Sequence, residues 1–252
     1  MPLLNDGPIS QIEDLRSYET SVLDTASVES VTLSPKFDMA QREVSTEVLR
    51  FLISQLEPGE AVTPVLLDRV VVTDPLLRWH TLHTLELFFR DVHHNQINDR
   101  YKAKWLAYEK EARQAQRLLL EVGVGLVAQP LFRPKAPTLG TVPGVVVGPV
   151  LVRASWVRGG IESAASEAAL YDPGQQANGP LVSLGGAPPV GATGWNVYAG
   201  LPDSAVTRQN PVPIEIGTSW PMPPEGLVMG VLPGAGQAPE RWIRQRRVFL
   251  RG

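Results

Sequence analysis

Lysine is confined to the front of this chain, and glycine and proline crowd its back. All five lysines lie at or before Lys135, whereas 18 of 22 glycines and 15 of 23 prolines follow it. Lysine suits solvated helix faces, and dense glycine and proline punctuate short strands with turns. The asymmetry predicts a multidomain α + β chain: a helical bundle of about four helices over 1–135, an all-β sandwich over 136–237, and an arm or last strand over 238–252. At 252 residues the chain exceeds the common domain size of about 100 to 150, and each half can bury a core.

Charge narrows the partners. Residues 1–135 carry 15 Lys/Arg against 19 Asp/Glu, and the remainder 8 against 7, so neither half is a bulk nucleic-acid binder. The exception is local: Arg241, Arg244, Arg246, Arg247 and Arg251 follow one another with no acid among them. With no cysteine, disulfides, thiolate metal sites and a cysteine nucleophile are excluded. The N-terminus has no basic flank ahead of an apolar core, and no stretch reaches the roughly 18 uncharged apolar residues of a spanning helix. A soluble protein with no membrane partner is expected.

In the front half, 34–56 reads as a helix: Ser34 as cap, Pro35 in the first turn, and Phe37, Ala40, Val44, Val48, Phe51 and Leu52 at helical spacing. An earlier helix is expected over 9–23 and a brief turn from Thr63 to Leu67. Asp74 and Pro75 open a helix ending near 93–96. The longest helix, 98–122, carries Tyr101, Trp105, Tyr108, Ala112, Ala115, Leu119 and Val122 as one packing stripe, and Gly123 is expected to close it as a left-handed cap. These last two helices form a hairpin.

From 143 onward seven short apolar runs, 145–147, 151–157, 168–171, 181–184, 195–199, 214–216 and 227–231, alternate with Gly and Pro turns at the spacing of a β-sandwich. Within one run Trp195, Val197 and Ala199 face one way, and Asn196 and Tyr198 the other.

Chemistry-bearing patterns are sparse. His80 and His83 share a helix face, with Glu86 one turn further on, but no HExxH pattern completes a metal site. The glycine-rich stretches at 185–188 and 234–236 lack the GK[ST] ending of a phosphate loop, and no GxSxG occurs. Glu109 and Glu111 lie on different helix faces. The expectation is no enzyme, no cofactor and no metal.

The stretch 87–131 resembles the head-to-tail adaptor, or head-completion, proteins of tailed bacteriophages. The likeness is carried by the polar turn Asn98-Asp99-Arg100-Tyr101, the Lys104-Trp105 pair and the long helix ending in Gly123-Val124-Gly125. It spans about a fifth of the chain and rests on packing motifs. The back half, through VLVRASWVRGGIESAASEAA and GATGWNVYAGL, resembles fibronectin type III and immunoglobulin-like sandwiches. Together the resemblances imply a structural virion protein of the phage neck, assembled in the host cytoplasm. It would form a homo-oligomeric ring of about twelve copies that joins portal protein to tail or stopper components and lets double-stranded DNA pass without reading its sequence, with a peripheral sandwich that would brace the collar, contact the portal or capsid vertex, or hold fibres.

The expected interface residues are Arg100, Lys104, Arg117, Trp242, Arg244, Arg246, Arg247 and Phe249, since aromatics and arginine dominate interface energetics. The other reading is a carbohydrate- or receptor-binding virion module with a helical attachment domain. An exposed platform of Trp156, Trp195 or Trp220 would favour it, and burial of those rings would weaken it.

Overall fold

The computed structural model describes residues 1–56, 64–95, 99–144, 148–174 and 178–245. Among them the helices come first: α1 (Ile12–Tyr18), α2 (Val22–Val28), α3 (Ser34–Gln55), a 3-10 turn (Pro64–Arg69), α4 (Asp74–His94) and α5 (Lys102–Val122). The strands are β1 (Val124–Leu126), β2 (Thr138–Pro143), β3 (Val150–Arg158), β4 (Ile161–Glu162), β5 (Ala169–Tyr171), β6 (Asn178–Ser183), β7 (Gly194–Gly200), β8 (Thr207–Arg208), β9 (Trp220–Pro221) and β10 (Arg241–Ile243). The layout is α + β in two parts, and all ladders between these strands are antiparallel.

The two compact units are Gly7–Ala128 with Pro239–Gly252, and Met1–Asp6 with Gln129–Ala238. The division therefore falls after Ala128 rather than at 135, and each terminus joins the unit that the chain's order alone would not assign to it. Asp6 holds the N-terminal residues to the β-rich unit by accepting the backbone N–H groups of Leu3 (2.8 Å) and Arg133 (2.9 Å). At the other end β10 pairs with β1 in the helical unit, Gly125 lying opposite Trp242. Glu240 adds two bonds there, its N–H to the Leu126 carbonyl and its Oε2 accepting from Ala128 N–H at 3.0 Å.

In the helical unit α4 is the central element, with residues buried on every side from Leu76 to Val92. The helix expected over 9–23 is two, broken at Glu19. That carboxylate takes the Ser21 hydroxyl (2.6 Å) and the Lys104 ammonium (2.7 Å), bonds that hold the chain out of helical register. α3 begins at Ser34 itself, with Leu33 as cap residue and no side-chain cap bond. α5 begins at Lys102 rather than 98, and its buried side chains are Ala112, Ala115 and Leu119. Val122 is 37% exposed, so the stripe ends one turn early. Gly123 closes α5 through its N–H on the Leu119 carbonyl, but at φ 112° and ψ 157° it is not the left-handed cap expected from the sequence. That backbone region is open essentially to glycine alone, and it turns the chain straight into β1. A Cβ there would lie 2.8 Å from the Arg244 side chain.

The β-rich unit holds two sheets, β2-β6-β9 and β4-β3-β7-β8, with β5 also on β3. One core lies under both: Val150, Val152, Trp156, Trp195, Val197 and Ala199 from one sheet meet Val182, Trp220 and Leu139 from the other. The alternation expected in 195–199 is present, since Asn196 and Tyr198 bond on the opposite face. β4 and β5 lie along the same edge of β3, at its two ends. Between them Ser163 and Ser166 bond Trp156 and Ala154, each donating its N–H to the carbonyl and accepting the N–H on its hydroxyl oxygen (both 3.0 Å). The runs at 214–216 and 227–231 form no strand; Ile214 makes a single bridge to Trp195, and Val231 accepts from Arg208 N–H. The run at 145–147 lies outside the described residues.

Candidate interaction surfaces

The α4–α5 hairpin is zipped by aromatic rings. Phe89 of α4 stacks on Tyr108 (5.4 Å between centroids) and lies beside Tyr101 (6.1 Å), while Trp105 packs against His93 and His94 at 5.5 and 5.6 Å. The stripe Tyr101, Trp105, Tyr108 is therefore consumed by packing, which leaves no row of free rings for base stacking. Burial, then the neighbouring Glu19, pushes the Tyr108 phenol well above its ordinary range.

Two of the expected interface cations serve this hairpin. Lys104 bonds Glu19 and lies 5.2 Å over the Phe89 ring. Arg100 sits 5.1 Å over the Tyr101 ring and 4.0 Å from Glu29, which also accepts the Tyr101 hydroxyl at 2.8 Å. Burial would raise Glu19, but the Lys104 ammonium and the Ser21 hydroxyl hold its carboxyl below the ordinary value. Sequence spacing could not supply Glu19 and Glu29, because they lie on short segments some 70 to 85 positions away in the chain.

Two leucines of α5 are exposed, Leu106 (46%) and Leu118 (40%), twelve residues apart and so about 120° apart round the helix. Arg117 borders a shallow groove of about 270 Å³ with Arg78, Leu118 and Glu121. Trp242 on β10 is 41% exposed, and Arg244 beside it donates Nε to the Val122 carbonyl at 2.9 Å. Arg246, Arg247 and Phe249 lie outside the described residues. Of the expected set, Arg100, Lys104, Arg117, Trp242 and Arg244 are all exposed, and Arg100 and Lys104 also contact the hairpin rings and the residues that close α1 and α2.

The histidines do not converge. His80 is fully buried, with Nδ1 2.7 Å from the Ser10 hydroxyl and its ring stacked toward Phe37, and burial holds its pKa down at about 4. His83 bridges helices instead: Nε2 lies 2.7 Å from Glu43 of α3 and Nδ1 2.8 Å from Glu86. Burial would lower His83, but the two carboxylates raise it above the ordinary histidine value. Contact of both nitrogens with carboxylate oxygens is the geometry of an imidazolium. Among the described residues no cluster of three or more His, Asp or Glu side chains has the arrangement to hold a metal ion.

In the β-rich unit Glu162 gathers the Ser155 hydroxyl, the Tyr198 hydroxyl and the Asn196 amide (3.1 Å) on one carboxylate oxygen. Asn196 in turn accepts from Asn210 at 2.9 Å, and Asn210 accepts the Val197 N–H at 2.8 Å. The knot binds β3, β4, β7 and the following loop, and its polar groups satisfy one another rather than facing a cleft. Trp156, Trp195 and Trp220 are 4%, 1% and 9% exposed, so they form core and not a sugar-binding platform. No helix among the described residues is long and apolar enough to cross a membrane.

Against this geometry, comparison with protein-family models, curated proteins and solved structures found no match.

Proposed function

We propose that this chain is a structural protein of a phage neck, an oligomeric adaptor ring that joins portal to tail or stopper components around passing DNA. The reading is supported above all by apolar side chains that the helical unit leaves exposed. α5 buries only Ala112, Ala115 and Leu119 and leaves Leu118 and Val122, one turn apart, 40% and 37% exposed, while Trp242 on β10 is 41% exposed. Adjoining exposed apolar side chains mark protein contacts, and copies that meet through two different patches close into a ring when the rotation allows.

The β-rich unit fits a peripheral immunoglobulin or fibronectin type III-like sandwich, since two antiparallel sheets over one core of alternating inward residues are the shared architecture of those modules. A carbohydrate-binding role has less support, because its tryptophans are in that core.

The deciding experiment is the mass of the purified protein, alone and mixed with the portal of the same phage, by light scattering and negative-stain imaging. A ring of about twelve copies is expected, formed alone or on the portal. A monomer that ignores the portal would overturn the adaptor reading.

A further inference from the structure

A groove of about 960 Å³ in the helical unit lies between the segment leading into α1 and the first turns of α3. Its apolar wall is Pro8, Ile12, Leu33 and Phe37, and Ile12 is 37% exposed. Its acidic side groups are Glu13 and Asp38, neither of which has an ion-pair partner among the described residues. Arg42 also lines it, bonded to the Asp38 carbonyl at 3.1 Å.

The chain carries one segment with the opposite character. Beyond Gln245, whose N–H bonds the Leu120 carbonyl at the end of α5, the sequence runs Arg246, Arg247, Val248, Phe249, Leu250, Arg251, Gly252. Three apolar residues between arginines match an apolar wall with carboxylates beside it. None of residues 239–245 lines the groove, so segment and groove begin from different patches of the unit.

We propose that the groove receives residues 246–252 of a second copy of this chain, so that each subunit gives one arm and accepts one. Resting on the ring reading above, this supplies the two unlike patches that head-to-tail closure requires. The apolar contact provides most of the affinity and the Arg to Glu13 and Asp38 pairs set direction, since exposed ion pairs add at most about a factor of five each.

The absence of cysteine from the chain allows a clean test in the full-length protein. Ile12→Cys and Phe249→Cys variants are made separately, mixed and oxidised, beside a control mixture of Phe249→Cys with Val28→Cys, a 72% exposed position outside the groove. The first mixture should yield a disulfide-linked heterodimer on a denaturing gel and the control should not. Adding Glu13→Lys and Asp38→Lys should cut that yield about fivefold at low salt. A disulfide that forms only inside the Ile12→Cys/Phe249→Cys double variant would overturn the exchange between copies. Rings seen by light scattering without the heterodimer would overturn the docking while leaving the ring, and a monomer with no disulfide would remove both.

Discussion

His80 and His83 stand three residues apart on one helix and are held in opposite protonation states. Burial against Phe37 and Ser10 disfavours the charged form of His80, so its folded pKa falls to about 4. Because that value lies below the unfolded one, the stability His80 contributes is complete above about pH 6.5 and is lost as the pH falls toward 4, on the order of 3 kcal/mol in full. His83 has the reverse sign: its folded pKa is raised by Glu86 and Glu43, so its contribution is present below about pH 6.5 and fades as the pH rises through the raised value. An NMR titration of the imidazole resonances should place the His80 midpoint near pH 4 and the His83 midpoint above 6.5. A common midpoint near 6.5 would show that neither ring is held as described. The pair was visible in the sequence as a shared helix face. Its division was not, because Ser10 and Glu43 come from other segments.

At the scale of elements, two edges carry the testable content. Ser163 and Ser166 complete the bonding of β3 where β4 and β5 leave a gap, so their hydroxyls stand in for strand carbonyls. Replacing both by alanine leaves the Ala154 and Trp156 N–H groups buried without those acceptors and should cost about 1–3 kcal/mol for each site. Urea unfolding followed by tryptophan fluorescence measures it, and an unchanged midpoint would show that the edge relaxes. The second edge is β1 against β10. Truncation after Ala238 uncovers β1 and should lower the melting temperature of the helical unit by several degrees, which calorimetry measures. A segment of alternating apolar and arginine residues could be strand or arm from sequence alone; Arg241–Ile243 are strand because a partner, Val124–Leu126, stands free to receive them.

At the scale of the whole molecule, assembly is carried by surface that folding does not use. Leu118→Glu with Val122→Glu should abolish the ring seen by light scattering while changing thermal stability little, since both side chains are at least 37% exposed. A ring that persists in this variant would move the interface away from α5. Lys104 and Arg100 flank the outer face of a helix and stay exposed there, while the fold brings Glu19, Glu29 and aromatic rings under them, partners that lie far off in the chain.

What the sequence determined by itself is the division of labour along the chain: helical periodicity at the front, short apolar runs with Gly and Pro turns at the back, and the shared face of Trp195, Val197 and Ala199. These follow from local backbone preference and from the two side-chain periods, which need no knowledge of neighbours. Only the tertiary structure decided the rest. It assigned residues 1–6 and 239–245 to the units opposite their positions in the chain, broke the first helix at Glu19, and buried the three tryptophans. Each of those outcomes depends on a partner distant in sequence, such as Arg133 for Asp6, Lys104 for Glu19 or the second sheet for Trp220, and spacing along one segment carries no information about such partners.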